Sequence, residues 1–84
     1  MAARRRKEFG HHIVSDPKIC GGDLTFKGTR LLVKDVLYYV AQGKDWDWIS
    51  EAYDGRLSHE AIAEAIELAR ETLVTTIEKR RPAA

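Results

Sequence analysis

The spacing of apolar residues changes near Arg30, and the change divides the chain into a strand-like part and a helical part. Before it, Leu24 and Phe26 alternate with polar residues, which is the pattern of a half-buried strand. Beyond it, apolar residues recur every three or four positions, as on an amphipathic helix. The pattern predicts an α+β fold, mainly α, with a short N-terminal β-hairpin from about His12 to Lys27 followed by three helices.

The three helices are predicted over residues 32–42, 46–53 and 59–79. Asp45 and Ser58 stand directly before the second and third helices. Both are favoured N-cap residues, because their side-chain oxygens accept hydrogen bonds from the free amides of a first helical turn. Two short helices joined by a tight turn to a third are typical of a helix-turn-helix, homeodomain-like unit.

The third predicted helix is long for a domain with two short partner helices. Its last apolar residues, Leu73 and Ile77, are expected to reach past the core of one subunit into a second, so a homodimer is predicted. Trp46 and Trp48 lie two positions apart, about 200° around a helix, and cannot share one face. One of them is expected to join Ile49 in the buried stripe, and the other to be exposed or partly covered. The predicted partner interface consists of Trp46, Trp48, Leu73 and Ile77.

Turn-forming residues are concentrated between Ile13 and Val33. Asp16–Pro17 is predicted to open a turn, because proline fixes its own φ and keeps the preceding residue extended. Gly21–Gly22 permits the positive φ of a tight reversal or a bulge. Gly28–Arg30 is the corner where strand gives way to helix, and a structural role for the Arg30 side chain, bonding carbonyls of the hairpin or pairing with an acidic group, is favoured over a ligand contact.

These turns also carry a family resemblance. An I-V-x-D-P motif, a G-G pair and a G-T-R triplet resemble the signature of the bacterial and archaeal family catalogued as domain of unknown function four-three-three. The resemblance extends from roughly Phe9 to Leu73 and departs at Leu24, where many members carry proline. It implies a helix-turn-helix-like domain behind a β segment, often considered an antitoxin paired with a PIN-like ribonuclease toxin. The matching residues are Ile13, Val14, Asp16, Pro17, Gly21, Gly22, Gly28, Thr29 and Arg30.

Charge is distributed unevenly over the 84 residues, although the formal net charge is only +1. Residues 4–7 and 79–81 supply seven of the fourteen positive charges. From Glu8 to Glu78, seven basic side chains stand against thirteen acidic ones, a net charge of −6. The body is therefore acidic and the ends are basic. The predicted organisation is a basic disordered arm over 1–8, a single domain over 9–78 and a basic C-terminal tail over 79–84.

This distribution bears on DNA binding. The helix after the turn of a helix-turn-helix unit normally enters the major groove. Here it carries Glu60, Glu64 and Glu67, which the flanking phosphates repel, so base reading by this helix is not expected. Any phosphate contact is expected from the basic arm with help from the hairpin and the first helix. The candidate nucleic-acid residues are Arg4, Arg5, Arg6, Lys7, Lys27, Arg30 and Lys34.

Recognised catalytic motifs are absent from the sequence, as are a G-x-x-x-x-G-K phosphate loop and the ligand spacing of a metal site. We therefore expect a protein that is not an enzyme and that uses no cofactor, metal or small-molecule substrate. No apolar run reaches the roughly 18 residues of a membrane span. The single Cys20 fits a reducing compartment, and a cytoplasmic location is predicted.

Three functional hypotheses remain open from the sequence. The first, from the family resemblance, is an antitoxin-like regulatory protein that binds and neutralises a PIN-like toxin and also contacts DNA. The second is a stand-alone helix-turn-helix DNA-binding regulator. The third is a purely structural protein-interaction module.

Overall fold

The computed structural model describes residues 5–80 and shows a three-stranded antiparallel sheet followed by three helices. The sheet order is β1-β2-β3, with each strand beside its neighbour in sequence. The predicted α+β class, mainly helical, is confirmed. The elements are β1 Lys7–Phe9, β2 Ile13–Ser15, β3 Leu24–Phe26, α1 Val33–Ala41, α2 Trp46–Ala52 and α3 His59–Arg80.

Strand β1 is an addition to the predicted hairpin. Lys7 and Glu8, which the sequence pattern assigns to the basic arm, lie in β1, with Lys7 opposite Ser15 of β2. A strand of three residues with a single apolar side chain is too short to show an alternating pattern. Residues 1–4 of the predicted arm lie outside the described part of the chain, as do residues 81–84 of the predicted tail, whereas Lys79 and Arg80 continue α3.

The β1–β2 turn is attached to α3 by one carboxylate. Glu64 accepts a hydrogen bond from the amide of His11 at 2.9 Å and another from the amide of His12 at 2.7 Å, one on each oxygen. These two bonds hold the pKa of Glu64 below its ordinary value, the His11 amide contributing most. Gly10, with φ +74°, gives the turn the close approach to Glu64 that this arrangement needs.

Replacing Glu64 by glutamine should make folding less sensitive to acid. Because the pKa of Glu64 is lower in the folded chain, its carboxylate stabilises the fold above the ordinary carboxyl pKa, and this stability is lost as the pH falls through the folded value. Chemical denaturation of the wild-type chain and E64Q should therefore show a stability difference near pH 7 that shrinks below about pH 4.5. A difference that is constant across this range would contradict the assignment.

The turn between β2 and β3 follows the predicted chemistry. The amide of Ile19 donates to the Asp16 carbonyl at 2.8 Å, and the amide of Lys18 donates to the Asp16 side chain at 2.9 Å. A tight turn over Cys20–Gly22 then reverses the chain, with positive φ at all three residues. The Cys20 side chain is half-buried and lies 3.8 Å from the Arg30 carbonyl oxygen, as a packing group beside the glycines.

The helices begin where the caps predict. Asp45 accepts a hydrogen bond from the Trp48 amide at 2.7 Å, and Ser58 accepts one from the Ala61 amide at 3.1 Å. Ser50 of α2 closes the following turn, because its hydroxyl donates to the Leu57 carbonyl at 2.7 Å. These bonds fix the α2–turn–α3 segment.

The core lies between one face of the sheet and the three helices. Ile13 and Phe26 are paired across β2 and β3 and both face this core. On α3 the fully buried residues all lie in its first two turns. A helix of 22 residues is about 33 Å long, so roughly its second half extends beyond the buried core. The core consists of Ile13, Phe26, Val33, Val36, Ile49, Leu57, Ala61, Ile62 and Ala65.

Candidate functional site

The second half of α3 carries large apolar side chains with nothing over them. Leu73 is 62% exposed and Ile77 is 54% exposed. They are four positions apart, so they lie on one side of the helix, and the neighbouring Val74 is exposed as well. Adjoining exposed apolar side chains of this kind are typical of surfaces through which proteins interact. We call Leu73, Val74 and Ile77 the α3 apolar end.

An apolar groove leads up to the α3 apolar end. It has a volume of about 360 Å³ and lies between the sheet, α1 and α3. Its outer walls are Phe9 and Leu24, two large side chains that are exposed at the strand positions flanking the buried Ile13 and Phe26. The remaining lining residues are Ile13, Val33, Leu37, Ala65, Leu68, Ala69 and Thr72. Thr72 directly precedes Leu73, so the groove and the α3 apolar end form one continuous surface.

The two tryptophans are both exposed, Trp46 at 37% and Trp48 at 42%. The prediction that one of them joins Ile49 in the buried stripe is wrong, because α2 has only seven residues and Ile49 is its one buried side chain. The rings instead pack by their edges on opposite sides of α2. Trp48 meets Tyr39 of α1 with ring centres 5.2 Å apart, and Trp46 meets His59 of α3 at 5.7 Å.

Ion pairs occupy several of the predicted nucleic-acid residues. Arg6 pairs with Glu8 at 2.7 Å and approaches Asp16 at 3.9 Å, while Lys27 pairs with Glu8 at 3.2 Å. These contacts hold the pKa of Glu8 below its ordinary value, Lys27 contributing most. Lys34 lies 4.0 Å from Asp23. Arg5, Lys7 and Arg30 are exposed, and Arg4 lies outside the described residues.

The outward face of α3 is acidic along its length. Glu67 pairs with Arg70 on this face, which keeps the pKa of Glu67 low. Glu64, predicted to repel DNA, is instead engaged by the β1–β2 turn. The surface that α3 would present to a major groove therefore stays negative, because its exposed side chains include Glu60, Glu67, Glu71 and Glu78.

Sequence reasoning missed several residues of these surfaces. Phe9 and Leu24 become groove walls only through the pairing of β1 and β3 with β2, which no local pattern reveals. Val74 stands beside the predicted stripe and could have been found from its place between Leu73 and Ile77. Arg56 lines a groove together with Arg30, and nothing in the sequence indicates that these two distant residues lie together.

Metal-ligating side chains do not cluster within residues 5–80. No three His, Cys, Asp or Glu side chains in that range come close enough together to hold a metal ion. Among the helices described, none is both long enough and apolar enough to cross a membrane.

Comparison with known proteins gives one finding. Residues 13–69 match the family described as "Protein of unknown function (DUF433)". No curated protein matches the chain. No solved structure matches it.

Proposed function

Because the chain belongs to the DUF433 family, we propose that it is an antitoxin-like regulatory protein that binds and neutralises a PIN-like ribonuclease toxin and also contacts DNA. The observation that carries the proposal is the α3 apolar end, which projects past the core with Leu73 and Ile77 more than half exposed. The family resemblance supplies the class of partner. The described part of the chain offers an exposed apolar surface that suits a protein partner.

The α3 apolar end suits helix-in-groove recognition. An amphipathic helix that presents large apolar residues at a spacing of three or four inserts them into a hydrophobic groove of its partner. Leu73 and Ile77 have this spacing, and the adjoining groove on the chain can receive an apolar side chain in return. A toxin bound here would cover both surfaces, and binding of this kind masks an active site without any chemistry by the antitoxin.

DNA contact is the second part of the proposal. The acidic outward face of α3 argues against base reading by that helix, so a stand-alone helix-turn-helix regulator is less well supported. Two arginines at a separate groove support phosphate contact instead. The DNA role therefore depends on a surface away from the α3 apolar end, and the two roles are compatible in one complex.

Replacing Leu73 and Ile77 together by aspartate should abolish toxin neutralisation. The chain is produced together with the product of the gene adjacent to its own, and the ribonuclease activity of that product is measured against increasing amounts of the chain. Placing two charges in an apolar interface should raise the concentration for half-inhibition at least tenfold, because buried anchors of this type contribute more than about 1.4 kcal/mol each.

Thr75→Asp is the matched control. Thr75 is exposed on the same turns but lies about 200° around the helix from both Leu73 and Ile77, so its charge should leave inhibition unchanged. Circular dichroism should show that every variant remains folded. The proposal fails if the wild-type chain neither associates with the neighbouring protein nor inhibits it, or if the Leu73 and Ile77 substitutions leave inhibition intact.

A further inference from the structure

Most basic side chains in the body of the protein have an acidic or aromatic partner. Glu8 forms ion pairs with both Arg6 and Lys27. Arg30, Arg56 and Lys18 differ, because none of their charged groups lies within 4.0 Å of a carboxylate in the described range, and of these three only the two arginines line a groove together. The other partnered basic groups are Lys34 with Asp23, Lys44 with Trp48, His59 with Asp47 and Arg70 with Glu67.

Arg30 and Arg56 border the same open groove. Arg30 comes just before α1, and Arg56 lies in the turn between α2 and α3. The fold brings these two distant positions to a groove of about 700 Å³ that no acidic side chain lines. In a body with an excess of acidic residues, this is a local region of positive charge. The lining residues are Ile19, Gly28, Thr29, Arg30, Leu31 and Arg56.

The floor of the groove is a fixed backbone corner. The amide of Thr29 donates to the Phe26 carbonyl at 3.0 Å, closing a turn in which Gly28 has φ +79°, as the third residue of a type II turn requires. The Thr29 hydroxyl donates to the same carbonyl at 2.7 Å and accepts from the Leu31 amide at 3.0 Å. The amides of Gly28 and Arg30 donate no hydrogen bond to any other residue in 5–80, so both are free for a ligand.

We propose that the Arg30–Arg56 groove binds backbone phosphates of duplex DNA. Guanidinium groups present paired N–H donors that match phosphate oxygens, and free backbone amides commonly complete such contacts. The inference rests on the DNA-binding part of the proposed function and gives it a location. It assigns the contact to Arg30 and Arg56 rather than to Arg6, Lys27 or Lys34, whose charges are already paired.

Docking at this groove is compatible with the acidic outward face of α3, because no residue of that face lines the groove. The groove lies at the Gly28–Arg30 corner and the α2–α3 turn, so the protein would follow the DNA backbone without inserting α3 into the major groove. Contacts of this kind position a protein without reading bases. The groove and the α3 apolar end have no lining residue in common, which leaves the α3 apolar end available to a protein partner.

Replacing both arginines by glutamine tests the inference. Binding of the full chain to duplex DNA from upstream of its own gene is measured by fluorescence anisotropy over a range of salt concentrations. R30Q/R56Q should weaken binding by about tenfold to a hundredfold near 150 mM salt and reduce the slope of log K against log[salt] by about 2, because each phosphate contact contributes about 0.9 to the slope. R30K/R56K should keep part of the affinity by retaining the charges.

The matched control is K44Q/R70Q, which removes two positive charges outside the groove and should change the affinity less than twofold. Thermal unfolding should be similar for all variants, since the four side chains are exposed. The inference is overturned if wild-type chain binds no duplex DNA, if R30Q/R56Q binds like wild type, or if both pairs weaken binding equally. Toxin inhibition by R30Q/R56Q should remain normal, so failure of the phosphate site and failure of toxin neutralisation are separate results.

Discussion

Replacing Gly10 by alanine is expected to lower the free energy of unfolding by about 2–3 kcal/mol. Gly10 has φ +74°, a conformation that costs an L-residue about 1 kcal/mol or more. In addition, a Cβ at this position would lie 2.6 Å from both Cδ and Oε2 of Glu64. The Glu64 side chain would have to turn away, and its hydrogen bonds to the amides of His11 and His12 would be lost. Urea denaturation measures the effect.

Two further variants separate strain from lost hydrogen bonds. Gly43 has a similar φ of +84° but open space where a Cβ would stand, so G43A should cost only about 1 kcal/mol. When Glu64 is first replaced by alanine, the clash and the hydrogen bonds are both absent. G10A in that background should then cost no more than G43A. An undiminished cost would mean that Glu64 does not hold the β1–β2 turn.

Local chemistry explains why the helical part of the fold was predictable from the sequence. Asp45 and Ser58 cap α2 and α3 through contacts to residues three positions away, and such contacts can be predicted from the neighbouring residues of the sequence. The turn at Asp16 is equally local. These signals depend on the side chain and on the backbone beside it, so tertiary packing is not needed to recognise them.

Strand β1 and the attachment of the β1–β2 turn to α3 depend on distant residues and could not be predicted in the same way. The His11 and His12 amides reach Glu64, more than fifty positions along the chain. From the sequence, Glu64 is one of several acidic residues on a long helix, and nothing distinguishes it from Glu60 or Glu67. Its role appears only when the sheet and α3 are packed together.

The candidate surfaces also differ in how far the sequence predicts them. The exposure of Leu73 and Ile77 follows from the length of α3 relative to its short partner helices, which the spacing of apolar residues already indicates. Arg30 and Arg56 line one groove because of how the segment before α1 and the α2–α3 turn are placed, which the sequence does not show. The prediction for the tryptophans was wrong in part, because α2 has only seven residues and buries neither ring.

Replacing Ile62 by alanine is expected to lower the free energy of unfolding by about 3 kcal/mol, a large share of the stability of a small domain. Ile62 is 0% exposed and lies in the core where α3 meets the sheet and the other helices. Truncating it removes apolar contacts and leaves a cavity that the surrounding side chains only partly fill. If full unfolding results, I62V should retain the fold with a loss of about 1 kcal/mol, again measured by urea denaturation.

Leu73→Ala is the matched substitution on the same helix, and it connects stability with function. Leu73 makes no core contact, so its truncation in the isolated chain should change the free energy of unfolding by less than about 0.5 kcal/mol. With the toxin present in excess, the same substitution should reduce the stabilisation that binding confers, because ligand stabilisation falls as affinity falls. Ile62→Ala should instead lower the stability strongly both with and without the toxin. If Leu73→Ala instead lowers the stability of the chain alone, and does so more strongly at higher chain concentration, the α3 apolar end contacts a second copy, as in the predicted homodimer. That result would contradict its assignment to the toxin.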